Sequence, residues 1–537
     1  MSDTPKFYSY HAFLFPFRWE INGDINVKIF IDAIKTAGWE YEAFTISESH
    51  KEKHYQNYNE FVYFYEFARD AIYNTKDLND EHFFANNTCY QFNFKLFDSK
   101  YQIKTNGTLY ELALNTITLK LYETGIAIIS FHMKNNQYPS KQDVKNINDF
   151  GRRTYPQYLP LENIRNKLLP DYINITETNL CLIEDFSAYK KTVFNITDNH
   201  SPVDLPQFIK NLLGKQFSNK KEKNKIFVDP IIDDRMFTIC WYGNTEEAKR
   251  LSTVENDYFS GKQYAYKYEI DTFWYEFIFV DSNNATCQSK TMRPELIKNH
   301  TYSRWIDYQT LFGITRYSLM ILSSDLKTLE YNNADFILTH IQTMYHQLAT
   351  LTLAQRSSIL NFSKRATEIS NNDHNISDQV SRLYKDFIQF KNKMLFNEVT
   401  AQEQGIEMYQ KMIDHMKIME NNSILERMIN DLHHYANLEE QKKQTIAETR
   451  KADEAQKTNW WISIISLYFL IPTFITGIFG MNIMNTSFIK LHSNNWLWTI
   501  YIFCSFGIAA IIHIFLKRQK TKKSKNQKKG NLNVVRF

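Results

Sequence analysis

Gly480, Met481 and Asn482 end a charge-free apolar stretch, and their chemistry points to a specific kind of site. The stretch reads FITGIFGMNIMNTSFI over residues 474–489. An asparagine amide offers a carbonyl oxygen without a charge, so a ring of these oxygens can hold the water shell of an ion such as Mg²⁺ and still release it. Gly480 would permit a sharp turn, and Met481 would pack behind it. Since two helices cannot enclose water, we expect several copies of the chain to build this filter together.

Small polar and apolar residues recur at helical spacing in the apolar run before this motif. They are Thr473, Leu470, Ser466, Ile462 or Ser463, and Asn459. The next apolar run is mainly Ile, Phe and Ala, which is typical of a lipid-facing helix. The first run is therefore predicted to line a pore, with Leu470 as an apolar constriction.

Both apolar runs are long enough to cross a bilayer. Residues 460–480 and 496–516 are mostly apolar, and each run is about 30 Å long as a helix. Eight lysines and arginines follow between Lys517 and Lys529, while the loop between the runs carries only Lys490. This asymmetry predicts a multi-pass protein of the inner (plasma) membrane with both termini in the cytoplasm.

The segment PTFITGIFGMN resembles the signature of CorA-type divalent cation channels, in which Gly-Met-Asn ends the first of two C-terminal spans. The resemblance implies a homopentamer, a funnel-shaped cytoplasmic domain and a pore lined by the first span. It assigns Gly480, Met481 and Asn482 to the ion filter and Thr473 to a polar position further down. The predicted outer loop, MNIMNTSFIKLHSNN, departs from the family pattern because it has no acidic residue, which weakens the expectation of Mg²⁺ selectivity.

The remaining composition argues against catalysis. The five cysteines are scattered and include no CxxC pair, so a cysteine zinc cluster is not expected. The chain also lacks P-loop, GxGxxG, HExxH and GxSxG motifs. We therefore expect no enzyme, no permanently bound cofactor and no direct binding of nucleic acid. Mg²⁺ or another divalent cation would be the cargo, and the sequence assigns no residues to a regulatory metal site.

The predicted fold is an α/β cytoplasmic head, a long helical stalk and two C-terminal transmembrane helices, assembled as a homopentameric funnel. The predicted domains are 1–325 (sensor), 326–458 (stalk), 459–516 (two spans with a short outer loop) and 517–537 (basic tail). Two apolar stripes predict stalk helices, and the second helix is expected to continue into the first span. The stripes are Leu383, Phe387, Phe390 and Met394, then Ile406, Tyr409, Ile413 and Met416. A methionine stripe at Met408, Met412, Met416 and Met419 is interpreted as packing.

Four segments of the head are rich in β-branched and aromatic residues and are predicted to contain strands. They are residues 109–133, with a turn near residues 123–125, and residues 235–243, 268–280 and 314–322.

Two further segments, HAFLFPFRW (11–19) and INDFGRRTYP (147–156), carry candidate ligand residues. Arg152 and Arg153 could clamp a phosphate, and Arg18 and Trp19 could contribute charge and a stacking ring. The alternative interpretation is a first core strand and a surface turn. Both segments also resemble the heads of CorA-like proteins encoded beside type III CRISPR systems, and that resemblance implies a response to the nucleotide messenger SAM-AMP.

Three functions are therefore compatible with the sequence. The first is a pentameric cation channel gated by its head, which could act as a SAM-AMP-activated effector of antiviral defence. The second is a housekeeping Mg²⁺ importer regulated by cytosolic Mg²⁺. The third is a membrane-anchored receptor that does not conduct ions.

Overall fold

The structure is a computed structural model of the single chain. It describes residues 7–46, 51–77, 80, 83, 88–154, 168–177, 180–187, 205–255, 265–325, 333–371, 376–480, 499, 503–504, 506–508, 510–515 and 517–518.

Within these residues the strands are β1 Ser9–Glu20, β2 Trp39–Tyr41, β3 Cys89–Phe94, β4 Lys100–Thr105, β5 Thr108–Tyr122, β6 Ile126–Asn135, β7 Tyr172–Glu177, β8 Leu180–Asp185, β9 Phe217–Ser218, β10 Ile226–Pro230, β11 Phe237–Gly243, β12 Val254–Glu255, β13 Ala265–Tyr266, β14 Thr301–Tyr302, β15 Leu311–Ile314 and β16 Ser318–Ser323. The α-helices are α1 Val27–Thr36, α2 Lys51–Tyr63, α3 Glu66–Arg69, α4 Lys141–Gly151, α5 Gln207–Leu213, α6 Thr245–Leu251, α7 Thr272–Phe279, α8 Met292–His300, α9 Asn333–Gln342, α10 Met344–Ser370, α11 Ile376–Met394, α12 Glu403–Met416 and α13 Ile418–Gly480.

A large mixed sheet organises the head, and β1 lies at its centre. The main path runs β14-β15-β16-β11-β1-β6-β5-β4-β7-β8, with β2, β3, β9 and β10 paired off this path. β1 is antiparallel to β6 and β11, whereas β11 and β16 are parallel. β1 is buried along nearly its whole length, as expected for a central strand covered on both faces. The interpretation of residues 11–19 as a first core strand is confirmed.

One face of the sheet carries the main apolar core. Phe13, Phe15 and Phe17 from β1 pack with Phe30 of α1 and Phe208 of α5. The other face is covered by α10, which contacts β1 and β6. A second apolar cluster lies around α7, β11 and β16.

The expected strands are partly confirmed. Residues 109–133 form β5 and β6, joined by a turn at Gly125, whose φ of 78° suits glycine. Residues 235–243 contain β11. Residues 314–322 instead span the end of β15, a turn and most of β16.

The expected strand at residues 268–280 is wrong. A short 3₁₀-helix occupies Lys267–Ile270, and α7 follows it. Asp271 begins α7, because its carboxylate accepts a hydrogen bond from the Trp274 amide at 3.0 Å. Since residues 273–278 are all buried, the segment lacks the alternation that separates a strand from a buried helix in sequence.

The predicted helical stripes are confirmed as packing faces. Leu383, Phe387, Phe390 and Met394 are buried along α11, and Tyr409, Ile413 and Met416 are buried along α12, where Ile406 is only partly buried. Met408 and Met412 are also buried, so the packing interpretation of this part of the methionine stripe holds. However, α12 does not continue into the next helix. The backbone turns at Lys417, which adopts a left-handed φ of 58°, and α13 begins at Ile418.

Contacts divide the chain into two units, residues 1–434 and 435–537. The predicted boundary near residue 325 comes just after β16, the last strand in the described residues. Because α10 packs on β1 and β6, the first unit extends beyond that boundary.

Candidate functional site

Only the first residue of the predicted filter motif lies within the described part of the chain. Gly480 is the last residue of this helix, whereas Met481 and Asn482 lie outside the described residues. The whole predicted outer loop (residues 481–495), much of the second predicted span and residues 519–537 also lie outside them. Across the residues whose structure is described, we find no helix with both the length and the apolarity to cross a membrane.

The predicted pore-lining residues share one property, which is exposure along α13. Thr473, Leu470, Ser466, Ile462 and Asn459 are all exposed. The side chain of Leu470 is 64% exposed and that of Ile462 is 56% exposed. The Thr473 hydroxyl donates to the Phe469 carbonyl at 2.7 Å, a bond within the helix.

Arg152 and Arg153 lie directly after α4, where they form a buried charge network. Arg153 donates to Asp149 at 3.0 Å and pairs with Asp234 at 3.4 Å. Arg152 donates to the Val280 carbonyl at 3.0 Å. Burial alone would raise the pKa of Asp149, but the two guanidinium groups hold it below its usual value. The interpretation of this segment as a surface turn is therefore wrong.

Gly151 serves close packing in this segment. A Cβ atom at Gly151 would approach the Phe13 ring and the Ile103 side chain to 2.7 Å. Glycine is therefore required by the approach of α4 to the sheet.

Arg18 and Trp19 lie near the C-terminal end of β1, and each has its own contacts. Arg18 pairs with Asp229 at 3.0 Å and with Glu368 at 3.5 Å. Trp19 is buried in the main core, where its ring lies 4.8 Å from Phe30. No contact within the described chain joins Arg18 to Arg152 or Arg153, and a nucleotide site at these residues stays a prediction.

A polar cavity in the head was not anticipated from the sequence. Its volume is about 570 Å³, and it lies between the sheet, α2 and the junction of α9 with α10. Amide and hydroxyl side chains supply most of its walls: Thr45, Asn57, Asn74, Gln91, Asn93, Asn115, Thr116, Thr118, Ser130, Gln342 and Gln347. The pairing of β5 with β6 shifts register between Leu114 and Thr116, and Asn115 from this irregularity lines the cavity.

Two opposite charges in the cavity wall are joined through Gln347. Lys120 donates to the Gln347 side-chain carbonyl and, at 2.9 Å, to the Ile72 carbonyl. The Gln347 amide donates to Glu60 at 3.0 Å, and the Tyr73 hydroxyl donates to the same oxygen at 2.9 Å. Burial lowers the pKa of Lys120 and raises that of Glu60, so both charged forms are disfavoured.

Two histidines lie beside the hydrogen bonds that join Lys120, Gln347 and Glu60. The rings of His132 and His346 are 4.8 Å apart. Burial lowers the pKa of His132 to about 4, and burial followed by the His132 and Lys120 charges lowers the pKa of His346 well below 6.5. Both rings are therefore neutral at pH 7.

The missed signal is the alternation along β5. Thr116, Thr118 and Lys120 alternate with buried Ile117 and Leu119. Such a pattern is typical of a strand with one solvent-facing side. Here α10, more than 200 residues later in the chain, covers that side and turns it into a cavity wall.

The described residues contain no group of three or more His, Cys, Asp or Glu side chains placed to hold a metal ion.

A family model described as CorA-like Mg²⁺ transporter protein matches residues 305–518. The match supports the CorA family for this part of the chain, and that family suggests transport of divalent cations. No curated protein and no solved structure gives a significant match.

Proposed function

We propose that this protein is a CorA-like channel or transporter that carries Mg²⁺ or a related divalent cation across the inner membrane. The observation that carries the proposal is the family match over residues 305–518, which includes the Gly480-Met481-Asn482 motif. The long helix α13 ends at the first residue of that motif, which supports a pore helix leading to a filter.

The proposed assembly is a homopentamer with both termini in the cytoplasm. Residues 1–325 form the sensor, 326–458 the stalk, 459–516 the two spans and 517–537 the tail. Ile462, Phe469 and Leu470 support this arrangement, because each is more than half exposed in the single chain. Exposed apolar side chains that lie this close together on one helix favour contact with lipid or with other copies of the chain.

The filter role belongs to Asn482, with Gly480 and Met481 shaping its surroundings. Thr473, Ser466 and Asn459 supply polar groups along the pore, and Leu470 and Ile462 supply apolar ones. This mixture suits a pore that lets hydrated ions pass and closes by dewetting.

Control of the pore by the head is the finer part of the proposal. The polar cavity supports a ligand-binding head, and the messenger SAM-AMP is the proposed activator in a type III CRISPR context. Regulation by cytosolic Mg²⁺, as in a housekeeping importer, and a receptor that does not conduct are the alternative outcomes of the experiment below.

The test is divalent-cation flux into liposomes that contain the full-length protein. We expect Asn482→Ala to abolish selective flux, because the amide oxygen contacts the ion's water shell, and to leave the oligomer size unchanged. Asn485→Ala is the matched control, since it removes an amide three residues later, outside the motif. Equal, selective flux through Asn482→Ala and wild type would refute the filter assignment.

The same liposomes separate the modes of control. Flux that requires added SAM-AMP supports the messenger-gated effector, whereas flux that falls as Mg²⁺ rises on the head side supports the importer. Absence of flux under all conditions, with intact oligomers, supports the receptor.

A further inference from the structure

A second, charged cleft lies between the sheet and the helices α10 and α11. Its volume is about 900 Å³, and charged or amide side chains form most of its walls. The wall on the sheet side is mainly acidic and includes Glu20, Asp24 and Glu123. The wall supplied by α11 is mainly basic. We call this space the charged cleft.

One face of α11 lines the charged cleft. Its residues follow one another at intervals of three or four, which places them on the same side of a helix. They are Arg382, Lys385, Gln389 and Lys393. The helix therefore presents a polar face to the sheet.

An apolar face of α11 packs against α10. The rings of Phe387 and Phe390 lie 5.8 Å and 5.5 Å from the ring of Phe362 on α10. Burial of apolar surface holds this contact together, so it does not depend on charge.

Two ion pairs join α11 to the sheet across the charged cleft, and we call them the α11 ion pairs. Arg382 pairs with Asp24, in the turn after β1, at 3.0 Å. Lys393 pairs with Glu123, in the turn between β5 and β6, at 3.5 Å. All four side chains are partly or largely exposed. Because exposed ion pairs are weak and are screened by salt, these contacts can open while the head stays folded.

Another side of α11 contacts the beginning of α13. The ring of Tyr384 stacks on the ring of His433, with centroids 4.4 Å apart and planes 10° apart. Lys391 donates to Glu426 at 2.6 Å. Helix α11 therefore connects the sheet to the helix that ends at Gly480.

We propose that α11 is a regulatory element held to the head by the two α11 ion pairs. When salt or an added charge weakens these pairs, the charged cleft opens and α11 shifts together with the beginning of α13. Opening of the cleft needs no pore; only its effect on ion flux rests on the proposed function.

A cysteine in the wall of the charged cleft can report this opening. Ile369 on α10 lines the cleft and is only 8% exposed. In the Ile369→Cys chain, uncharged N-ethylmaleimide should label position 369 at a rate that follows the fraction of open molecules. Mass spectrometry of the peptide that contains position 369 separates this label from labels on the native cysteines.

The variants are made in the full-length Ile369→Cys chain in detergent. We expect Arg382→Glu to raise the labelling rate by about threefold or more, since an exposed pair is worth up to a factor of about five in an equilibrium. Arg382→Gln, which removes the charge without reversing it, should raise the rate less. The swapped pair, Arg382→Glu with Asp24→Lys, should return the rate to the reference value.

Salt provides a test without any change at the ion pairs. Raising NaCl from about 0.1 M to about 1 M shortens the Debye length from about 10 Å to about 3 Å. The labelling rate of the Ile369→Cys chain should rise by about twofold or more over this range. The rate in the urea-unfolded chain corrects for any effect of salt on the reagent.

Lys95→Glu is the matched control. Lys95 pairs with Glu40 outside the charged cleft, and their side chains are 62% and 70% exposed, against 63% and 68% for Arg382 and Asp24. It should leave the labelling rate unchanged. Circular dichroism verifies that each variant is folded.

Three results would overturn the proposal: a labelling rate that neither salt nor the folded Arg382 variants change, an equal rise for Lys95→Glu, or a swapped pair that labels as fast as Arg382→Glu alone.

Ion flux in liposomes tests the regulatory role separately. We expect Arg382→Glu to change resting cation flux by about twofold or more and the swapped pair to restore it. Flux that stays at the wild-type level while the cleft opens would refute the regulatory role. Absence of flux in wild type would instead refute the transport proposal and leave the labelling result standing.

Discussion

At the scale of single residues, His11 shows how burial of one titratable side chain can make the stability of the fold depend on pH. It lies in β1 with no exposed surface. Its Nδ1 lies 2.7 Å from the Asn148 side-chain oxygen, and its Nε2 lies 2.9 Å from the Ser9 hydroxyl. The Asn135 amide donates to Ser9, which leaves the Ser9 proton for His11. Both ring nitrogens are therefore satisfied in the neutral form, and burial lowers the pKa of His11 to about 4.

We predict that His11 makes the head less stable in mild acid. The pKa is about 6.5 in the unfolded chain and about 4 in the fold, so between these values only the unfolded state takes up the proton. The stability contributed by neutral His11 is present above pH 6.5 and is lost as the pH falls toward 4, by about 2 kcal/mol at pH 5. His11→Gln should flatten the loss of stability between pH 7 and pH 5.

Urea unfolding of the full chain, followed by tryptophan fluorescence, measures this dependence. His434→Gln is the control because His434 is exposed on α13. Identical pH slopes for wild type and His11→Gln would contradict the prediction.

At the scale of elements, α7 depends on one capping residue. Asp271 accepts from the Trp274 amide and also pairs with Arg250 at 2.7 Å. The helix that it begins supplies Trp274 and Phe277 to the second apolar cluster. A single carboxylate therefore sets the start of an element whose composition is typical of a strand.

We predict that Asp271→Ala destabilises the head by about 1–3 kcal/mol, because it removes both the cap and the ion pair. Asp271→Asn should cost less, about 1 kcal/mol or below, since its side-chain carbonyl can still cap the helix. Thermal unfolding of the two variants beside wild type measures the difference. An alanine variant as stable as the asparagine variant would show that the cap contributes little.

At the scale of the whole molecule, α13 carries apolar side chains that are exposed in the single chain and that the proposed assembly would use. Leu470, Phe469 and Phe474 are each at least 64% exposed in the single chain. In the proposed pentamer, one leucine from each copy would meet the others around the axis. A ring of apolar side chains in a narrow pore excludes water and thereby stops ions.

We predict that Leu470→Ser leaks ions at rest, because hydroxyl groups would keep the constriction wet. Phe503→Ser is the matched control, since Phe503 is also largely exposed but belongs to the predicted lipid-facing span. Resting flux in liposomes should rise for Leu470→Ser and stay at the wild-type level for Phe503→Ser. A Leu470→Ser variant as tight as wild type would place the gate elsewhere.

Local patterns in the sequence were sufficient for several elements. The turn at Gly125 separates β5 from β6, and the apolar stripes on α11 and α12 are packing faces. The resemblance to the CorA family is supported by the family match over residues 305–518. Each of these signals lies within a few residues, because helix periodicity, strand composition and turn geometry are local properties.

Contacts between distant parts of the chain decided the rest. Lys120 meets Gln347 across 227 residues, and His11 meets Asn148 across 137. Arg153 looked available for a phosphate in the sequence, but folding brings Asp234 to it. The alternation along β5 is typical of a strand with one solvent-facing side, but in the fold α10 lies over that side. Long-range packing decides which polar side chains are buried, which are paired and which line a cavity. A local sequence pattern does not indicate which distant element will cover it.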